Sequence, residues 1–353
     1  MIMPSYLKYA FLKNLVKKPV YLIFFVTDRC NSKCLHCFNF ASLNRGAHIL
    51  SLAEVDAFSK QLDHVEWLAL SGGEPLIRED VAEVVETFFR NNGLSQITIP
   101  TNALLPDLIY KQMKKIVDIS PSLSVSLNLS LDGLGDNHDF IRGVKGNYQK
   151  LLQTYRRVLP LKQYGNFSLR ANTTITNFNY HEIEQLSDAV MREMPELDSH
   201  NFEFMRGDAP DKRFSPPPTE KIPEITNTLI KILKRYQFFR KSKLKSRMVL
   251  AAKKTLYQQD YKTLVEKRRT ISCYAGKTHA VLDEVGNLYF CELFPKIGNI
   301  RGHSFEEVWH GEEAEKQREI IENKKCYCTH ACFQNSNIVF SPSQYPKLLL
   351  NAL

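Results

Sequence analysis

From Tyr21 onward, short apolar runs alternate along the chain with segments whose apolar positions recur at helical spacing. The runs predict strands over Tyr21–Val26, Trp67–Leu70, Ile97–Ile99, Val125–Leu131, Ser168–Ile175 and Asn201–Met205. A helix starts at Ser51, where Glu54 three residues on completes a capping-box pattern. The next runs from about Val81 to Asn92 and stops before Gly93. A third begins near Pro106, whose fixed φ suits a first helical turn. Two more cover Tyr148–Val158 and His181–Met194.

Six β/α units in succession, with short connections, predict an α/β protein built on a partial (β/α)6 TIM-type barrel. Functional residues should then gather on loops after the strand C-termini. Ser5–Val16 predicts a short basic amphipathic helix docked over the barrel, closed by Pro19. After residue 206 the pattern changes. Gly207–Pro218 is a linker rich in proline and charge, and residues 219–270 look helical and basic. Beyond Ser272 come a hairpin around Glu284-Val285-Gly286-Asn287, a helix over Ser304–Asn323 and a cysteine cluster. The division this suggests is an N-terminal helix (1–18), the barrel (19–206), a linker and basic helical segment (207–271) and a small C-terminal domain (272–353).

Composition adds a core and a charge asymmetry. The chain of 353 residues is 43% hydrophobic, with 21 Phe and 15 Tyr, which argues against disorder. Its formal net charge is +9. Residues 211–270 carry 17 Lys/Arg against 5 Asp/Glu, so this segment holds the whole excess. It reads first as a solvated helical face, and otherwise as a grip for an acidic peptide, a nucleic acid or a membrane surface. The run Val20–Val26 lacks a cleavage site and is too short to span a bilayer, and no other stretch is long enough. The expected location is the cytoplasm, where thiols stay reduced. Eight clustered cysteines there point to metal rather than disulfides.

The loop after the first strand reads Cys30-Asn-Ser-Lys-Cys34-Leu-His-Cys37. Three thiolates within eight residues can converge on one iron–sulfur cluster. Three ligands leave one iron of a 4Fe–4S cubane open, as catalytic zinc sites keep an open position. A zinc site with a borrowed fourth ligand is the alternative. The second strand ends in Ser71-Gly72-Gly73-Glu74-Pro75. The glycines let backbone approach a ligand, and the carboxylate can accept from an ammonium group.

Together these motifs resemble the radical S-adenosylmethionine (SAM) superfamily. The resemblance implies that Cys30, Cys34 and Cys37 ligate the SAM-binding 4Fe–4S cluster, and that Gly72, Gly73 and Glu74 receive the methionine amino group. Ser130-Leu-Asp132-Gly133 matches the segment contacting the methionyl carboxylate and ribose, and Thr101-Asn102 the family's Thr-Asn at the third strand. His36 falls where the family places a residue against the adenine. His138-Asp139 and Arg142-Gly143 continue a run seen in one branch, although Asp132 can equally be only a turn cap and His138 a structural loop histidine.

Cys273, Gly286-x4-Cys291 and Cys326-x-Cys328-x3-Cys332 resemble that superfamily's auxiliary-cluster extension, SPASM in its full form and twitch in its shorter one. The full form's C-x2-C pair and distal cysteine are missing, which favours one auxiliary 4Fe–4S cluster over two. Cys273, Cys291, Cys328 and Cys332 are the assigned ligands; Cys326 is a spare ligand or a hydrogen-atom donor. A zinc ribbon is the alternative.

The resemblance implies reductive cleavage of SAM to a 5′-deoxyadenosyl radical and hydrogen abstraction from a substrate C–H, with flavodoxin or ferredoxin as electron donor. The first reading is oxidation, epimerisation or rearrangement of a small biosynthetic intermediate. The second is maturation of a ribosomally made peptide. Only 29 residues precede Cys30, too few for the peptide-binding domain such maturases often carry, which favours the first. A zinc-dependent nucleic-acid-binding protein is the third, and it leaves Gly-Gly-Glu unexplained.

Overall fold

The computed structural model describes residues 18–235 and 243–352, so the helix expected over Ser5–Val16 lies outside the described residues. The barrel alternates as β1 (Tyr21–Phe25), α1 (Leu52–Ser59), β2 (Trp67–Ser71), α2 (Val81–Asn92), β3 (Gln96–Thr101), α3 (Pro106–Asp118), β4 (Ser124–Ser130), α4 (Gly135–Arg142), α5 (Asn147–Val158), β5 (Phe167–Ile175), α6 (Ile183–Glu193) and β6 (Ser199–Phe204). The local signals explain most boundaries. Ser51 and Glu54 form a reciprocal capping box at α1, Gly93 ends α2 in the left-handed region at φ 62°, and Pro106 occupies the first turn of α3. Helix α4 escaped the sequence reading. It has eight residues, too few for a periodic apolar face to declare itself.

Strands β1 to β6 are all parallel and pair in chain order. Side chains alternate across such strands. In β5, Phe167, Leu169, Ala171, Thr173 and Ile175 are buried, whereas Ser168, Arg170, Asn172 and Thr174 are half-buried. Asn128, Arg170, Asn172 and Asn201 line cavities inside the barrel. The lumen on the β4–β6 side is therefore polar, unlike the branched apolar filling of a closed barrel.

Beyond β6, helix α7 (Ile222–Ile232) and helix α8 (Lys243–Glu266) form the basic segment. It is not simply a solvated face: Thr255, Leu256, Tyr257 and Asp260 of α8 are buried, and Lys253 lines a cavity. The hairpin strands β7 (His279–Leu282) and β8 (Asn287–Tyr289), with β9 (Gly298–Asn299), extend the barrel sheet: β7 pairs in parallel with β1. The single helix expected over Ser304–Asn323 is instead two, α9 (Phe305–Trp309) and α10 (Glu312–Glu322). The break falls at Gly311, which is extended at ψ 168° and starts the second helix; glycine is a poor helix interior residue. Helices α11 (Ala331–Phe340) and α12 (Tyr345–Ala352) complete the described chain.

One apolar core joins both halves. Phe305 of α9 packs edge-on to Phe58 of α1 and stacks on Trp309. Each such fully buried aromatic contributes about 1.5–3 kcal/mol. Polar ties run across the same seam: the Phe305 N–H donates to Gln61 Oε1 at 2.7 Å, and Arg301 Nε pairs with Glu54 Oε1 at 2.6 Å. Among the described residues no helix is long and apolar enough to cross a membrane.

Candidate active site

The cysteine loop leaves β1 and is pinned from two sides. Asn44 Oδ1 accepts from the Cys30 N–H at 2.9 Å, and its Nδ2 donates to the Cys30 carbonyl at 3.0 Å. The end of α4 holds the other side. The Leu35 N–H donates to Ile141 O at 2.9 Å, and Ser32 Oγ donates to Arg142 O at 3.0 Å. Gly143, at φ 66°, lies so near that a Cβ would sit 2.2 Å from Lys33 O. The Arg142-Gly143 pair is thus a clamp on the loop.

The end of β2 comes equally close. A Cβ on Gly73 would lie 2.0 Å from Arg29 O and 3.0 Å from Cys30 Cβ; one on Gly72, at φ 119°, would lie 2.4 Å from Thr27 O. These two glycines let the strand end lie against the cysteine loop. Glu74 follows, 3% exposed. Its Oε2 accepts from the Asn102 N–H at 2.7 Å and its Oε1 from the Leu76 N–H at 3.3 Å. Burial pushes its carboxyl up to about 7 against the pull of those donors. A cationic partner would restore its charge.

Asp132, after β4, is buried. Its Oδ2 lies 3.1 Å from Arg142 Nη1 and 3.6 Å from His36 Nε2, and its Oδ1 accepts from the Thr174 N–H at 2.8 Å. Burial opposes its charge, but His36 and Arg142 outweigh burial and hold it below the carboxylate range. His138 donates nothing to the cavity: its Nδ1 accepts the Asp132 N–H at 3.1 Å, and burial keeps the ring neutral, down to about 4. It supports the Asp132 turn, the structural alternative. Asn102 reaches Asn31 Oδ1 at 2.7 Å, and Thr101 Oγ1 accepts from the N–H of Ala103, itself held at φ 61°.

These groups surround one cavity of about 520 Å³ at the strand C-termini. Cys30, Cys34, Cys37, His36, Gly72, Gly73, Glu74, Thr101, Asn102, Ser130 and Asp132 all line it. The donor set fits an iron–sulfur cluster. Burial, then the neighbouring Cys34 and Cys30, push the Cys37 thiol up to about 11. Thiols whose ionisation is disfavoured by burial and by neighbouring thiols, as at Cys30 and Cys37, suit a cationic iron core, which neutralises them. His36 Nδ1 is buried without a hydrogen-bond partner at the cavity wall.

At the C-terminal cysteines, Cys273 stands near enough to raise the thiols of Cys291, Cys326 and Cys328, after burial in each case. Cys328 reaches about 12. Cys332 lines the large cavity; Cys326 does not, and has Arg269 Nη1 4.0 Å from its sulfur. A buried trio that sequence reasoning missed joins the two regions. Glu292 Oε2 pairs with Arg206 Nη2 at 2.8 Å and with His330 Nε2 at 2.7 Å. Burial opposes ionisation of Glu292, yet His330 and Arg206 bring it down to about 2. The available signal was position: Glu292 follows Cys291, and His330 lies between Cys328 and Cys332.

A parallel partial barrel with three cysteines, a Gly-Gly-Glu strand end and a buried Asp–Arg–His set around one mouth defines a cluster-binding class. Residues 24–190 match the family described as the radical SAM superfamily, and residues 273–333 the iron–sulfur cluster-binding domain SPASM. The chain belongs to the radical SAM superfamily, in the branch with a C-terminal SPASM domain. Its cofactors are accordingly a 4Fe–4S cluster, SAM and an auxiliary iron–sulfur cluster.

Among relatives, the AdoMet-dependent heme synthase of Methanosarcina barkeri is 26% identical over 86% of this chain and 85% of its own. The GTP 3′,8-cyclase of Peptoclostridium acidaminophilum is 31% identical over 46% of this chain. AlbA of Bacillus subtilis, the antilisterial bacteriocin subtilosin biosynthesis protein, is 23% identical over 82% of this chain. The chain spans 49% of the cyclase and 59% of AlbA. Of solved structures, anSMEcpe with bound AdoMet aligns at TM-score 0.62 and 14% identity over 95% of this chain and 99% of its own. Streptococcus suis SuiB bound to S-adenosylmethionine aligns at 0.58 and 17% identity over 86% of this chain and 68% of its own. These two likenesses concern the fold.

Proposed function

We propose that this chain is a radical SAM enzyme of oxidoreductase type acting on a small biosynthetic intermediate, with Cys30, Cys34 and Cys37 as ligands of the SAM-binding cluster. The observation that carries the reading is the single cavity of about 520 Å³ that gathers the three cysteines, Gly-Gly-Glu and Asp132. When bound and reduced, the cluster and SAM supply a 5′-deoxyadenosyl radical that takes a hydrogen atom from a substrate carbon.

The chain's own residues bind and orient. Glu74, held by the Asn102 N–H, presents a carboxylate to the methionine ammonium beside the Gly72–Gly73 backbone. Asp132, fixed by Arg142 and the Thr174 N–H, and Ser130 face the ribose and methionyl carboxylate. His36, with one ring nitrogen unpartnered, faces the adenine. Thr101 shapes the strand end that carries Asn102. Leu35, Phe38 and Met205 form apolar wall that excludes water.

Cys273, Cys291, Cys328 and Cys332 are the proposed auxiliary ligands, with Cys326 as the alternative. Cys332 lies on the cavity wall, so an auxiliary cluster held there would supply an electron acceptor on the substrate side. Cys326 is less suited to donate a hydrogen atom, because it does not line the cavity. The electron donor is a flavodoxin or ferredoxin, and the compartment a reducing one, the cytoplasm. The small-molecule reading is supported by likeness to a heme synthase along most of both chains. Peptide maturation is the second reading, favoured by the likeness to AlbA over 82% of this chain.

The test is deuterium transfer into 5′-deoxyadenosine by the anaerobically reconstituted, reduced protein. Deuterated cell extract is supplied in small-molecule and peptide fractions. Deuterium from the small-molecule fraction is expected. Deuterium from peptides alone selects the second reading, and absence of 5′-deoxyadenosine with no bound iron overturns both. Cys30→Ala is expected to lower product to the level without protein.

A further inference from the structure

The large cavity does not end at the SAM site. Thr98, Asn128, Asn172, Glu203 and Cys332 also line a second cavity of about 200 Å³ deeper in the lumen, between strands β3–β6 and helices α8 and α11. Two cations face it, Arg170 from β5 and Lys253 from α8. Among the described residues neither makes an ion pair within 4 Å: Asp198 is taken by Lys162 at 3.1 Å, and Glu203 lies toward Arg206 at 3.6 Å.

The polar side chains of the chamber hold one another in place. Lys253 Nζ is aimed by one hydrogen bond, to Asn201 Oδ1 at 2.9 Å, and Asn201 Nδ2 in turn donates to Asn172 Oδ1 at 2.9 Å. Arg170 Nε is shielded and has no partner. Asn128, paired in register with Arg170, is 5% exposed, and its Oδ1 is also without a partner. Burial holds the Lys253 ammonium down to about 8; Glu203 opposes this and Arg170 adds to it, with smaller opposing pulls from Cys332 and the buried Asp260. Two like charges inside a protein, with donors left over, are costly unless an anion sits between them.

The geometry points to an anion subsite: the substrate carries a carboxylate or phosphate that binds Arg170 and Lys253, with its reacting carbon in the larger cavity. Arginine supplies the planar fork suited to either oxyanion, and lysine the point charge. Trp67, Val249 and Val339 give the chamber an apolar wall for the rest of the molecule. Glu203, at the junction of the two cavities, excludes a second anionic group there. The substrate class is thus an organic acid or phosphate ester with an apolar body. This inference rests on the radical reading of the adjoining cavity for its reaction, but not for its binding.

The deciding experiment is calorimetric titration of the reconstituted holoenzyme with acetate and with inorganic phosphate at fixed ionic strength. At least one anion is expected to saturate a single site. Its affinity should fall at least tenfold in Arg170→Gln and in Lys253→Gln, each variant carrying wild-type iron and an unchanged circular dichroism spectrum. Lys253→Arg, which keeps the charge, should retain more affinity than Lys253→Gln. Absence of saturable binding, or binding equal in wild type and both Gln variants, overturns the proposal.

The source of the anion follows from the deuterium assay run on extract split by anion exchange and by size. Deuterium from retained small molecules assigns a free acid, and from retained peptides an acidic residue or chain end. Deuterium only from unretained material overturns the proposal. Failure of wild type to form 5′-deoxyadenosine would sink the radical reading alone, since the titration reads the subsite independently.

Discussion

Gly73 shows how little room the site leaves at single positions. A methyl group there meets Arg29 O at 2.0 Å, backbone that cannot rotate away, so the cysteine loop must shift. Gly73→Ala is expected to reduce iron content per chain and to cut 5′-deoxyadenosine formation at least about tenfold, a shift of about 1.4 kcal/mol. Gly165→Ala, where nothing lies within 4 Å, is the control, expected within about 0.5 kcal/mol of wild type by urea unfolding. An equal iron content in both variants would refute the close-packing argument. The cysteines and Gly-Gly-Glu were legible because their chemistry is written in contiguous spacing. Arg142 as the partner of Asp132, and Glu292 between Arg206 and His330, were not, because those contacts span 10, 86 and 38 positions and no local period encodes them.

Elements were legible where a cap or a period marks them. The capping box at α1 can be tested by Ser51→Ala, expected to cost about 1 kcal/mol in urea unfolding. Glu54 of the same box also holds Arg301 from the C-terminal half. The Arg301 contact first, then the Ser51 N–H, hold its carboxyl down to about 2 from 4.5. A depressed carboxylate contributes stability that is present above its unfolded value and lost as pH falls through its folded one. Wild type should therefore exceed Glu54→Gln at pH 6, and the difference should shrink below about pH 4.5. The gap should be modest, under about 1 kcal/mol, because solvent screens the pair. A gap that grows on acidification would contradict the assignment. The polar lumen was also available in the strand pattern. Ser126, Asn128 and Ser130 alternate with apolar residues in β4, as do Arg170 and Asn172 in β5. That period marks two faces but not which one looks inward.

For the whole molecule the testable quantity is metal stoichiometry. Two 4Fe–4S clusters predict about eight iron per chain after reconstitution, and the Cys30, Cys34 and Cys37 triple alanine variant about four. Loss of all iron in that variant would mean that the C-terminal thiols hold no cluster of their own. Alternating patterns, caps and cysteine spacing determined the six β/α units, the site at the strand C-termini and the cofactor class, because each is encoded within a few residues. Tertiary structure alone decided that β7 joins β1 and carries the C-terminal hairpin into the barrel sheet, since parallel pairing across some 250 positions leaves no local trace. It also decided that Cys332 faces the large cavity while Cys326 does not, and that Lys253 of a basic helix turns inward toward Arg170. Those outcomes depend on which surfaces are buried against each other, and burial is a property of the assembled fold.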